Sequence, residues 1–181
     1  MNIQLNNVRL SFPALFKARS FQKDQEPKFS ATVLLSNEAD AKQIEKIKAG
    51  IKAVAEEKWG AGKVPKAMKP CLRDGAEKEE LEGYGSDVVF LSASNAKRVP
   101  VVNRDLTPLT EEDGKPYAGS YVNVSIRLWA QDNEYGKRVN AQLRAVQFVK
   151  DGEAFGDKPA DPTKEFAPLA DEEGSDSSSL M

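Results

Sequence analysis

Tyr121-Val122-Asn123-Val124-Ser125-Ile126-Arg127-Leu128-Trp129-Ala130 alternates polar and apolar side chains without a break. Successive side chains of a strand point to opposite faces. The spacing therefore predicts a core face of Val122, Val124, Ile126, Leu128 and Ala130. The opposite face carries Tyr121, Asn123, Ser125, Arg127 and Trp129. A merely solvated face would be filled with Lys, Glu, Thr and Ser. Two large aromatics with an arginine and two hydrogen-bonding side chains suit unstacked bases and phosphates instead. Aromatic rings stack on any base, and arginine neutralises the backbone. The competing expectation is that Trp129 and Tyr121 cover a second small core.

The pattern extends outward from this strand. Asp132, Asn133 and Gly136 mark a turn into a second strand over residues 137–150. There Val139, Ala141, Leu143 and Ala145 read as core, leaving Asn140, Gln142 and Arg144 opposite. Residues 28–35 alternate as well, with Phe29, Ala31, Val33 and Leu35 on one face and Lys28, Ser30 and Thr32 on the other. Further strands are expected over residues 3–12 and 87–95, with residues 99–103 extending the latter after a bend at Pro100. Ile44, Ile47, Ile51, Val54 and Ala55 form one stripe at helical spacing, which predicts a long amphipathic helix over residues 37–59. Asn37 is its expected cap, and Gly60 and Gly62 its stop. Residues 60–86 read as a loop-rich excursion. The fold class that follows is mainly β: an OB-like five-stranded barrel with one long helix.

The net charge of −2 is unevenly spread. Residues 151–181 hold two basic and nine acidic groups, a net −7, whereas residues 1–150 hold 24 basic and 19 acidic, a net +5. Prolines, acids and a serine run give the segment after Phe155 the composition of a disordered acidic tail. The expected division is a binding domain over 1–155 and a tail over 156–181. No apolar run is long enough for a membrane helix, and no signal peptide is evident. The single cysteine, Cys71, fits a reducing compartment, and the chain has no histidine. That removes the commonest general base and transition-metal ligand. Asp74, Glu77, Glu79, Glu80 and Glu82 invite comparison with a Mg²⁺ site, but Lys78 interrupts them as in a solvated segment. No metal and no cofactor are expected, and no catalysis; a small Mg²⁺-dependent nuclease is the enzymatic alternative.

Other cationic and aromatic residues join the candidate surface. Lys17, Arg19 and Lys23 alternate with aromatics at a strand end, where barrel loops often meet a ligand, although Phe12 and Phe16 read rather as core plugs. Lys97, Arg98 and Arg104 form another cluster. Tyr84, between Gly83 and Gly85, and Tyr117, shortly before Gly119, are loop aromatics expected to stack on bases.

RLSFPALFKA (residues 9–18), KFSATVLL (28–35), LRDG (72–75), GYG (83–85) and YAGSYVNVSIRLWAQDNEYGKRVNAQL (117–143) occur in that order across the body. In combination they resemble phage and prophage replication proteins, acidic-tailed single-stranded DNA-binding proteins with a modified OB-fold. The resemblance implies sequence-tolerant binding of single-stranded DNA in the bacterial host cytoplasm during phage infection, without a cofactor. It also implies that the tail, with Asp171, Glu172, Glu173, Asp176, Leu180 and Met181, recruits replication or recombination proteins and competes with DNA. The ending Ser179-Leu180-Met181 departs from the aromatic residue that often closes such tails. A strand-annealing recombination protein would share the same surface, and barrel edges together with residues 60–86 are compatible with a homodimer.

Overall fold

The computed structural model describes residues 1–20, 22–156 and 162–171. Five strands close a barrel: β1 (Asn2–Arg19), β2 (Lys28–Ser36), β5 (Val88–Asn95), β7 (Tyr121–Asn133) and β8 (Gly136–Lys150). β1 pairs with both β2 and β7, β2 with β5, and β7 with β8, all antiparallel. A short parallel contact between β5 and β8, Ala93 opposite Ala141 and Ser94 opposite Gln142, closes the ring. Three small strands decorate it: β3 (Lys69–Pro70), β4 (Leu72–Asp74) and β6 (Val101–Val102). β6 pairs with β8 and does not extend β5, because Pro100 redirects the chain toward Val146.

The interior is the one predicted from alternation. Val122, Val124, Ile126 and Leu128 of β7 are buried, as are Val139, Ala141 and Leu143 of β8. Ala145 departs from that expectation. A register shift between Ser125 and Ile126 leaves one extra residue on β8 near Arg144, so beyond it Val146 and Phe148 turn inward. Strand β1 runs past residue 12 for the same kind of reason. Its register slips by one residue between Ser11 and Ala14, where Phe12 adopts φ 45°. A bulge there accommodates Pro13, which has no N–H for a ladder, and swings Phe12 outward to 54 % exposure. Phe12 is therefore not a core plug, whereas Phe16 does pack against the core.

Helix α1 (Ala41–Trp59) buries Ile44, Ile47, Ile51, Val54 and Ala55, the expected stripe. It starts later than predicted. Residues 37–40 form turns, and Asn37 hydrogen-bonds across to Ser86 O and Asp87 O instead of capping. Gly50 lies in mid-helix because a Cβ there would come within 2.9 Å of Ile3 Cδ1 and Leu128 Cδ1. That close approach lays the helix directly on β1 and β7. Its last residue, Trp59, donates Nε1–H to Asp132 Oδ2 at 3.0 Å, tying the helix end to the β7–β8 hairpin.

The segment between α1 and β5 folds over the outside of β2 and β5. There Leu34 and Phe90 are buried, and Phe155 presses against Gly83. Phe155 N–H donates to Ala118 O at 3.0 Å and Gly156 N–H to Glu82 Oε2 at 2.9 Å, so the chain stays tied to the barrel through residue 156. Within the following stretch, residues 162–171 contain one helical turn, α2 (Pro162–Glu165), with exposed side chains.

Candidate nucleic-acid interface

The outward faces of β2, β5, β7 and β8 meet in an open cleft of about 560 Å³. Its walls are Lys28 from β2, Ser92, Ser94 and Asn95 from β5, Arg127, Trp129 and Gln131 from β7, and Asn140 and Gln142 from β8. The β7 alternation that fills the core with Ile126 and Leu128 necessarily aims Arg127 and Trp129 here. Trp129 is 44 % exposed, so it does not cover a second core. Among the described residues neither Lys28 nor Arg127 enters an ion pair. Their charge is thus available to a ligand.

Side-chain amides order the floor. Asn140 Nδ2 donates to Gln131 Oε1 at 2.7 Å, Gln131 Nε2 to Asn133 Oδ1 at 3.1 Å, and Asn95 Nδ2 to Leu143 O at 2.9 Å. These bonds use some valences of each amide and leave others facing the cleft. An adjoining hollow of about 500 Å³ shares Lys28, Ser92 and Ser94 with the cleft and continues toward Phe12. The surface is therefore one groove across the barrel.

Other expected residues fall around this groove or away from it. Arg19 pairs in register with Lys28, placing both cations at one end of the β1–β2 hairpin. Lys17 sits beside Arg19 but is paired with Glu111 at 3.4 Å. Lys97 and Arg98 follow Ala96 at the cleft rim, both exposed, with Arg98 Cζ 5.5 Å from the centre of the Phe29 ring. Arg144 is exposed on its bulge and does not line the cleft.

The three candidate tyrosines and Arg104 have other occupations. Tyr121 stands at the far end of β7, with Lys150 Nζ 4.8 Å from its ring centre and Arg9 Cζ 6.0 Å away. Tyr117 Oη lies 2.9 Å from Asp151 Oδ1 and accepts Gly152 N–H at 3.1 Å, fastening the chain that leaves β8. Tyr84 donates to Ser11 Oγ at 3.0 Å and packs edge-on against Phe90 at 5.3 Å. Desolvation raises the pKa of both phenols, as expected of tethers more than of free stacking platforms. Arg104 donates to Val149 O. Of the tail residues, Asp171 is exposed, and Glu172, Glu173, Asp176, Leu180 and Met181 lie outside the described residues.

Two exposed aromatics of the barrel lie outside the expected stacking residues. Tyr135, at the tip of the β7–β8 hairpin, is 76 % exposed beyond the cleft. An aromatic inside a polar turn has nothing local to bury it, and that signal was available. Phe12 is the other, and its outward turn depends on a bulge that alternation does not announce.

The acidic segment spends its carboxylates separately. Asp74 Oδ1 accepts Ala76 N–H at 2.9 Å, Glu77 pairs with Arg73 at 2.8 Å, and Glu82 holds Gly156. Among the described residues no three potential ligands converge on a metal position. Burial pushes the Cys71 thiol up to about 11, keeping it protonated.

Proteins of similar sequence and structure share this geometry's overall frame. A solved structure of the single-stranded DNA-binding protein from bacteriophage Enc34 in complex with ssDNA superposes with a TM-score of 0.76 at 32 % identity, covering 86 % of this chain and 89 % of that one. Protein p50 of Acyrthosiphon pisum secondary endosymbiont phage 1 is 43 % identical over 178 residues, 94 % of this chain and 95 % of that protein. At 14 % identity and a TM-score of 0.56, gp2.5, the single-stranded DNA-binding protein of bacteriophage T7, shares the fold; 93 % of this chain and 98 % of that one are covered. A family model described as the ssDNA-binding protein of Enterobacter phage Enc34 matches residues 1–177, and the chain belongs to that family of phage single-stranded DNA-binding proteins.

Proposed function

We propose that this protein binds single-stranded DNA along the groove across β2, β5, β7 and β8, with little sequence preference. Bases stack on Trp129, while Lys28, Arg127, Arg19 and the Lys97–Arg98 rim neutralise phosphates. The observation that carries this reading is Trp129, an exposed indole in an open cleft beside two unpaired cations. The Enc34 protein, solved with ssDNA, supports it. Stacking accepts every base because each has a π-face, so the interaction tolerates sequence. The body's net +5 is modest, so stacking carries a large share of the affinity.

The reading extends to a non-catalytic role in phage DNA replication or recombination in the bacterial host cytoplasm. The acidic tail recruits replication or recombination proteins and competes with DNA for the groove. No helix among the described residues is long and apolar enough to cross a membrane.

Oligo(dT) titration tests the groove through tryptophan fluorescence. Quenching is expected in the native chain and is expected to vanish in Trp129→Phe, where only Trp59 still emits. Undiminished quenching in that variant refutes the assignment. Truncation after Gly156 is expected to tighten binding, most strongly at low salt; unchanged affinity refutes competition by the tail.

A further inference from the structure

Phe12 combines three features that packing alone does not explain. It is more than half exposed, its backbone sits at φ 45°, and it borders a hollow of about 500 Å³. A non-glycine residue at positive φ brings its Cβ against the carbonyl oxygen. Such strain persists only where the surroundings enforce it, and it concentrates at ligand sites. Enforcement is visible here. The bulge between Ser11 and Ala14 imposes the conformation. Tyr84 stands against the ring at 6.5 Å between centroids and is itself fixed by Ser11 and Phe90. Phe12 is thus a braced, outward-facing platform.

Beside that platform, Ser30 lines the hollow at 6 % exposure, and its Oγ has no hydrogen-bond partner among the described residues. A buried hydroxyl without a partner is costly. One rotation about χ1 redirects it. Lys28 and Lys78 also border the hollow, and Lys28 is common to the cleft that holds Trp129.

We infer that this hollow is a second subsite, roomy enough to admit a nucleobase, in which the base stacks on Phe12 and its edge hydrogen-bonds to the Ser30 hydroxyl. Lys28 and Lys78 hold the phosphates on either side. The inference rests on the single-stranded DNA reading of the groove and deepens it. Stacking on Trp129 is indifferent to the base, whereas the Ser30 hydroxyl, able to donate or accept, sits at one fixed place and rewards only a base that puts a polar edge atom there. One position within an otherwise tolerant footprint therefore carries a base preference.

The test uses the full chain and the shortest oligo(dT) that saturates it, with an abasic nucleotide moved through each position. Wild type is expected to lose roughly tenfold in affinity when the abasic nucleotide occupies the Phe12 position. In Phe12→Leu that penalty falls within twofold, while the penalty that depends on Trp129 remains. If Leu at positive φ prevents folding, Phe12→Gly accepts the conformation without strain and replaces it. Ser30→Ala is expected to leave thermal stability unchanged or raised, yet to flatten the preference among dT, dC, dA and dG at that position alone. Every abasic penalty and base preference surviving in both the Phe12 and Ser30 variants overturns the subsite, although the groove still binds. Penalties that respond to neither Phe12 nor Trp129 substitution overturn the groove reading as well.

Discussion

The two ends of β7 carry the same ingredients and use them oppositely. At one end Trp129 and Arg127 face an open cleft, and among the described residues no cation stacks on the indole ring. At the other end, roughly 25 Å along the strand, Tyr121 has Lys150 and Arg9 over its ring. Arg9 is itself spent: it donates to Gly119 O and Glu153 O and lies 4.2 Å from the centre of the Phe155 ring. Gly119 and Gly152 let the chain close over this end, because a Cβ on Gly152 would fall 2.1 Å from Gly119 O. An aromatic beside a cation is therefore either a binding platform or a structural clasp. The difference lies in whether another segment of the chain has already occupied it.

Five substitutions would break or sharpen this contrast. Trp129→Ala is expected to weaken oligo(dT) binding by about 1–3 kcal/mol, the usual value of one base–aromatic stack, with little change in thermal midpoint. An equal loss from Tyr121→Ala would erase the distinction. Tyr121→Ala should instead cost about 1–2 kcal/mol of folding stability through lost cation–π and packing contacts. Urea unfolding reads that loss, and DNA affinity should stay within about twofold of wild type. Arg127→Gln is expected to reduce the log–log salt slope of binding by about 0.7, one phosphate contact on a single strand. Arg104→Gln, already bonded to Val149 O, should leave the slope unchanged. Tyr117→Phe should destabilise by about 1–3 kcal/mol, the worth of the one donated and one accepted hydrogen bond that the hydroxyl makes, with DNA affinity unaltered.

Much of the architecture was legible because alternation is a local property. Val122, Val124, Ile126 and Leu128 are buried as their spacing predicts, and Arg127 and Trp129 necessarily face the other way. The helical stripe was legible for the same reason. Reading failed where one inserted residue reverses the alternation. At Phe12 the bulge turned an expected core ring outward, and at Arg144 it exchanged Ala145 for Val146 inside. Tyr84 and Tyr117, read from sequence as free loop aromatics, are tethered instead. Their partners, Ser11 for one and Asp151 and Gly152 for the other, lie 73, 34 and 35 residues away in the chain, and no local pattern reports such meetings.

The sequence by itself determined which side chains point inward from each regular strand, where the helix lies, and that the acids concentrate behind a mildly basic body. Those properties depend on neighbours one to four residues apart. Tertiary structure alone decided which aromatic–cation pairs remain open. Closing the barrel through β5 and β8 gathers Lys28, Ser94, Arg127 and Asn140 from four strands into one cleft. The same closure lets residues 151–156 fold back over the Tyr121 end and fill it. Availability to a ligand depends on what else in the chain competes for the same ring and charge, and only the folded molecule settles that competition.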